Sequence, residues 1–178
     1  MKSSDIVTLC KLHVLESEGT LRWTYAQLAE SVCMSVGETH ASVTRLKEAH
    51  LFDDFTGKVI SQAMLEFLVH GVRYAFPVTA GPRERGIPTA HSSPFMRNEI
   101  EFAEDDLFVW PFAKGSVKGF AIKPLSRNAP AAALKDNKLY ELLSLVDSLR
   151  VGKVREREYA KKSLQQIIIR TEEHAGPK

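Results

Sequence analysis

Between Ser35 and Lys47 the side chains able to bond a ligand collect on one side of a helical repeat. At 100° per residue, Val36, Thr39, Val43 and Leu46 gather on one face. Gly37, Glu38, Ala41, Thr44 and Arg45 are left pointing outward, with His40 at the edge. That outward set has the chemistry of base-edge recognition. Arg45 is a forked donor suited to guanine or phosphate, Thr44 offers a hydroxyl to a base or a phosphate, and Ala41 fits a thymine methyl. Short side chains such as Gly37 and Ala41 allow a close approach. Glu38 is repelled by phosphate unless it accepts from cytosine or simply caps the helix, standing three residues after Ser35 at the spacing of a capping box. Arg22, Lys47 and Lys58 add the point charges that a sugar-phosphate backbone attracts.

A second group stands further on. Arg83 and Arg85 lie between Gly81 and Gly86, followed by Thr89 and His91, and two arginines with a hydroxyl and an imidazole could hold a phosphate or a carboxylate. The run lacks the Gly-Lys-Ser/Thr ending of a phosphate-binding loop, and its glycines and prolines are also ordinary turn residues. His91 beside Ser92 is no base and nucleophile pair, because adjacent residues seldom share that geometry and no third group orients them. Glu101, Glu104, Asp105 and Asp106 offer oxygen ligands at a spacing that fits no calcium loop, so they read as a solvated acidic face. The histidines and the two cysteines, Cys10 and Cys33, have no paired metal spacing. No metal, cofactor or catalytic set is expected. Arg150, Lys153, Arg155, Arg157, Lys161 and Lys162 form the densest basic run, with Glu156 and Glu158 interleaved; it could contact DNA flanks or an acidic partner, or be a salt-laced exposed helix.

Elements must hold these groups in place. Ser3 or Ser4 can cap a first helix that runs to about Glu18 and stops at Gly19. Leu28, Ala29 and Val32 give a second short helix its apolar face, and the 35–47 helix follows at a sharp turn. Asp53 to Ile60 reads as a tight hairpin turning at Thr56-Gly57, and Ser61 can cap a helix closing near His70. Val72 to Phe76 reads as a strand stopped by Pro77, 78–98 as irregular loop, and 107–110 and 117–122 as further short strands, the first and last pairing antiparallel. Leu139, Leu142, Leu143, Val146 and Leu149 define an amphipathic helix ended at Gly152. Ala160, Leu164, Ile167 and Ile168 define a last one, with a fraying tail from Glu172.

The stretch Tyr25–Phe52, with its Leu-Ala-Glu, Met-Ser, Arg-Leu and Glu-Ala strings, resembles the helix-turn-helix of winged-helix transcription regulators of the leucine-responsive and MarR-like kinds. The resemblance implies that the second helix enters the DNA major groove and that Lys58 is a wing-tip contact. Cys33 and His50 stand where that family usually has glycine. More loosely, the Tyr-Ala-Phe-Pro and Gly-Ile-Pro strings following such a domain look similar to antitoxins of the abortive-infection type, which implies a protein partner beside DNA.

The expected architecture is therefore α+β. A winged helix-turn-helix domain over 1–70 precedes a mixed domain over 71–178 of short antiparallel strands and two C-terminal helices, serving dimerisation, ligand or partner binding. A net charge of +2 in 178 residues permits nucleic acid without demanding it. Two cysteines suit a reducing compartment, and no apolar run has the length of a membrane span, so a cytoplasmic protein is expected. The function expected is a dimeric, sequence-specific DNA-binding repressor. The alternatives are an antitoxin-like regulator that also binds a protein, or an adaptor whose winged domain docks a protein without DNA. An enzyme acting through the arginine loop ranks last.

Overall fold

In the computed structural model, residues 1–97, 99 and 106–174 are described. Helix α1 (Ser3–Ser17) begins with Lys2 rather than a serine at its cap position. The Lys2 amide donates to the Asp5 carboxylate at 2.6 Å, and the Asp5 amide donates back to the Lys2 carbonyl at 3.0 Å. From Asp5 to Val14 every residue of α1 is buried, so this helix is a central post and not a surface element. Gly19, at φ 74°, ends it in the left-handed region.

Helix α2 (Tyr25–Val32) opens on a reciprocal cap. Thr24 Oγ1 accepts from the Gln27 amide at 3.2 Å while Gln27 Oε1 accepts from the Thr24 amide at 2.9 Å. Cys33 then turns the chain at φ 55°, and Ser35 caps α3 (Val36–Glu48) by accepting from the Glu38 amide at 3.2 Å. His50 turns it again at φ 54°. Both residues that occupy usual glycine positions thus carry glycine's backbone conformation. The short antiparallel hairpin β1 (Phe52–Asp53) and β2 (Lys58–Val59) follows, with Gly57 in the turn at φ 69°.

Helix α4 (Ser61–Glu66) does not close near His70. It passes through a π-helical turn, Phe67–Gly71, into α5 (Val72–Ala75), so the strand expected at 72–76 is instead the end of a helical rod. Met64, Leu68 and Val72 recur every fourth residue and are fully buried, α4 packing on α8 (Val154–His174) and α5 on α7 (Asn137–Val151). That burial outweighs the β preference of a Val-Arg-Tyr-Ala-Phe string. Gly71 sits where the turn widens, and a Cβ there would come 3.0 Å from the Phe67 ring, a tight contact.

The later half holds β3 (Arg83–Pro88), β4 (Phe108–Pro111) and β5 (Val117–Ala121). β3 is antiparallel to both others while β4 runs parallel to β5, and the three close on one another as a small barrel. Three strands can close so tightly only where side chains are absent. A Cβ on Gly86 would lie 2.1 Å from the Trp110 carbonyl oxygen, and one on Gly119 would lie 2.4 Å from that of Leu107. Residues 83–88, expected as irregular loop, are therefore strand, and Gly86 is a close-approach glycine rather than a turn residue. Helix α6 (Ala129–Ala133) leads into α7, and α8 runs to His174, past the expected fraying point at Glu172. Glu101, Glu104, Asp105 and the tail 175–178 lie outside the described residues.

The architecture is α+β, N-terminal helices followed by a mixed β and α region. One hydrophobic core runs through both, from Ile6, Leu9, Leu28 and Leu46 to Leu139, Leu142, Val146 and Leu164. α7 also fastens the barrel. Asp147, fully buried, accepts from Thr89 Oγ1 at 2.9 Å and Trp110 Nε1 at 2.5 Å, and its other oxygen accepts from Arg150 Nη1 at 2.6 Å. Among the described residues, no helix is long and apolar enough to cross a membrane.

Candidate nucleic-acid interface

α3 is fastened on its inner side by Thr39, Ser42, Val43 and Leu46, all buried. Ser42 Oγ lies 2.9 Å from both Asp5 Oδ1 and Thr8 Oγ1 on α1. Arg45 reaches the same carboxylate, with Nε 2.8 Å from Asp5 Oδ2 and Nη2 2.6 Å from Oδ1, a two-point ion pair. Asp5 has no exposed surface. Burial alone would push its carboxyl up, but the bonds from Arg45, the Lys2 amide and Ser42 outweigh it and hold the group below its ordinary value of 3.8. Arg45, expected to face outward, is corrected in that orientation: its guanidinium is turned to Asp5 and bolts α3 to α1. The helical repeat placed it on the flank, and only the fold brings Asp5 within reach.

The rest of the outward side is open. Gly37, Glu38, His40, Thr44 and Glu48 are exposed and Ala41 is half-buried. The Thr44 hydroxyl donates to the His40 carbonyl at 3.0 Å, which leaves its oxygen outward as an acceptor. The His40 ring lies 4.8 Å from that of Tyr25, so α2 steadies it at the edge of the face. Ser35 is exposed and its hydroxyl serves the cap. Lys47 is not a lone charge: its ammonium lies 2.6 Å from Asp54 on the hairpin. Such an exposed pair is weak and exchanges readily for a phosphate.

The hairpin is shaped by Asp53, which accepts from the Thr56 hydroxyl at 2.6 Å and the Phe55 amide at 3.0 Å; these bonds lower its carboxyl pKa. The Val59 amide donates to Glu16 at 3.1 Å and ties the hairpin to α1. Lys58 is half-exposed on β2. Phe55, in the turn between them, is 98% exposed. It was missed in the sequence, although an aromatic residue between Asp54 and Thr56 with no apolar neighbour was its signal. Arg22 is exposed on the link before α2, where Trp23 packs against Tyr25 and Phe52, so that link passes the base of the hairpin.

The fold does not gather the second predicted group. Arg83 and Arg85 lie on the solvent side of β3, Arg83 with its guanidinium 5.1 Å from the Phe120 ring centroid and Arg85 donating to the Gly115 carbonyl at 3.2 Å. Thr89 and His91 are buried, Thr89 on Asp147 and His91 with Nε2 2.6 Å from the Asp106 carbonyl oxygen. Two residues in the core and two on the surface make no common cradle. The C-terminal basic run is likewise divided. Arg150 is buried on Asp147, Lys153 pairs with Asp106 at 2.8 Å, and Arg157 donates to the Gly152 carbonyl at 2.7 Å. Among the described residues no group of three His, Cys, Asp or Glu side chains is placed to hold a metal. Comparison with family models, with curated proteins and with solved structures finds no match for this chain.

Proposed function

We propose that the chain is a sequence-specific DNA-binding transcriptional regulator whose first three helices and hairpin act as a winged helix-turn-helix, and that it works as a dimeric repressor. One observation carries the reading. The outward side of α3 carries exposed Gly37, Glu38, His40, Thr44 and Glu48 with Ala41 half-buried, so the small or short side chains of Gly37, Ala41 and Thr44 run along it, while its opposite side is anchored to α1. A rod of that kind fits the major groove with Ala41 and Thr44 at base edges and His40 beside them. Arg22, Lys47 and Lys58 then meet phosphates, Lys47 leaving Asp54 to do so. Two copies about one helical turn of DNA apart would read a two-part site. Selection of bound duplexes from a random pool tests this. The expected result is enrichment of one motif with two related halves, and retention of no duplex above background would reject it.

A second reading draws on a different observation. Phe55, 98% exposed at the tip of the hairpin, stands beside Asp54, and an exposed aromatic ring next to a carboxylate also suits a basic protein partner. In that case binding depends on Phe55 and not on Thr44.

A further inference from the structure

Between α1, α7 and α8 lies a cleft of 480 Å³, within the range of small-molecule sites. Its walls mix the apolar Val14, Leu142 and Ile167 and the aromatic Tyr159 with polar groups from Ser17, Lys138, Ser163 and Gln166. Glu141 lines it from α7, half-buried, and has no hydrogen-bond or ion-pair partner among the described residues. Burial pushes its carboxyl above the ordinary range. The neighbouring groups do not balance it. Lys138, three residues before it, also lines the cleft, but its ammonium is turned to Glu18 at the rim, 3.1 Å away, and makes no bond to Glu141. His13 is buried and bonded to the Ile167 backbone, and burial lowers its pKa to about 4, so it brings no charge near neutral pH. Glu141 is thus left without a bonded donor, with Leu142 and Tyr159 beside it in the cleft. A partly desolvated acceptor without a donor is a cost that a bound cation removes.

We propose that this cleft binds a small organic cation, an alkyl amine or guanidinium, with its charged head on Glu141 and its apolar body against Tyr159 and Leu142. The inference is independent of DNA binding. The test is thermal unfolding of the full chain with agmatine or n-butylamine, against n-butanol and butyrate at equal concentration and ionic strength. The amines raise Tm saturably, by about 5 °C near saturation, and the neutral and anionic probes do not. Glu141→Gln folds with an unchanged or higher Tm and loses the amine response. Ser163→Trp, which fills the cleft from a half-exposed position, loses it too. An amine response of equal size in wild type and both variants, or none in wild type at about 10 mM, overturns the proposal.

Discussion

Asp5 and Arg45 show how one ion pair can decide the use of a whole face. A carboxylate with no exposed surface stays ionised only among donors, and Arg45, Ser42 and the Lys2 amide surround it. Removing the arginine strands that charge. Arg45→Ala is therefore expected to lower folding stability by about 3 kcal/mol in urea titration, rather than to relax base preference in a folded protein. An unchanged urea midpoint would return Arg45 to the outward set. His13 gives a separate pH signature. Its pKa falls from 6.5 to about 4 on folding because the ring is desolvated, so the unfolded chain binds the extra proton between those values. Stability is complete above pH 6.5 and declines by roughly 3 kcal/mol as pH drops to 4. Asp5 and Asp136, whose pKa values are held below 3.8, add their loss only at still lower pH, as it falls through their folded-state values. Urea titrations across pH 7 to 4 check this, and His13→Gln should flatten that part of the profile.

At the scale of elements, the barrel depends on missing side chains and the turns on unusual ones. Gly86→Ala would put a methyl group 2.1 Å from the Trp110 carbonyl oxygen, so strand closure must yield, at a cost above about 2 kcal/mol in chemical unfolding. Cys33→Gly has the opposite sign. It relieves a left-handed non-glycine residue and should stabilise by about 1 kcal/mol, read as a higher Tm. The helices were legible because their apolar residues keep a 3.6-residue repeat over several turns, as Leu139 to Leu149 do. The left-handed turns at Cys33 and His50 fall where the pattern that the stretch resembles usually has glycine. Val72–Phe76 was misread because strand-like side chains there continue the Met64, Leu68, Val72 stripe of a helix begun at Ser61. Arg83–Pro88 was misread because a glycine that lets two backbones meet looks, in one dimension, like a glycine that turns a chain. The site divides the same way. Gly37, Ala41 and Thr44 follow from periodicity, whereas the partners of Arg45, Thr89 and His91 lie far along the chain.

For the whole molecule, α1 and α7 form the common support. α1 holds α3 through Asp5 and the hairpin through Glu16, and it also packs on α7, whose Asp147 holds the barrel. The face proposed for DNA thus stands on the same core as the rest of the chain. The most direct test is fluorescence anisotropy of the selected duplex, with the salt dependence measured for wild type, Thr44→Glu and Phe55→Ala. Thr44 is exposed, so its replacement leaves Tm unchanged. The account predicts that Thr44→Glu weakens the complex at least about tenfold, roughly 1.4 kcal/mol, and that wild-type affinity falls steeply with salt. Wild-type affinity in Thr44→Glu, with binding lost instead in Phe55→Ala, would contradict it.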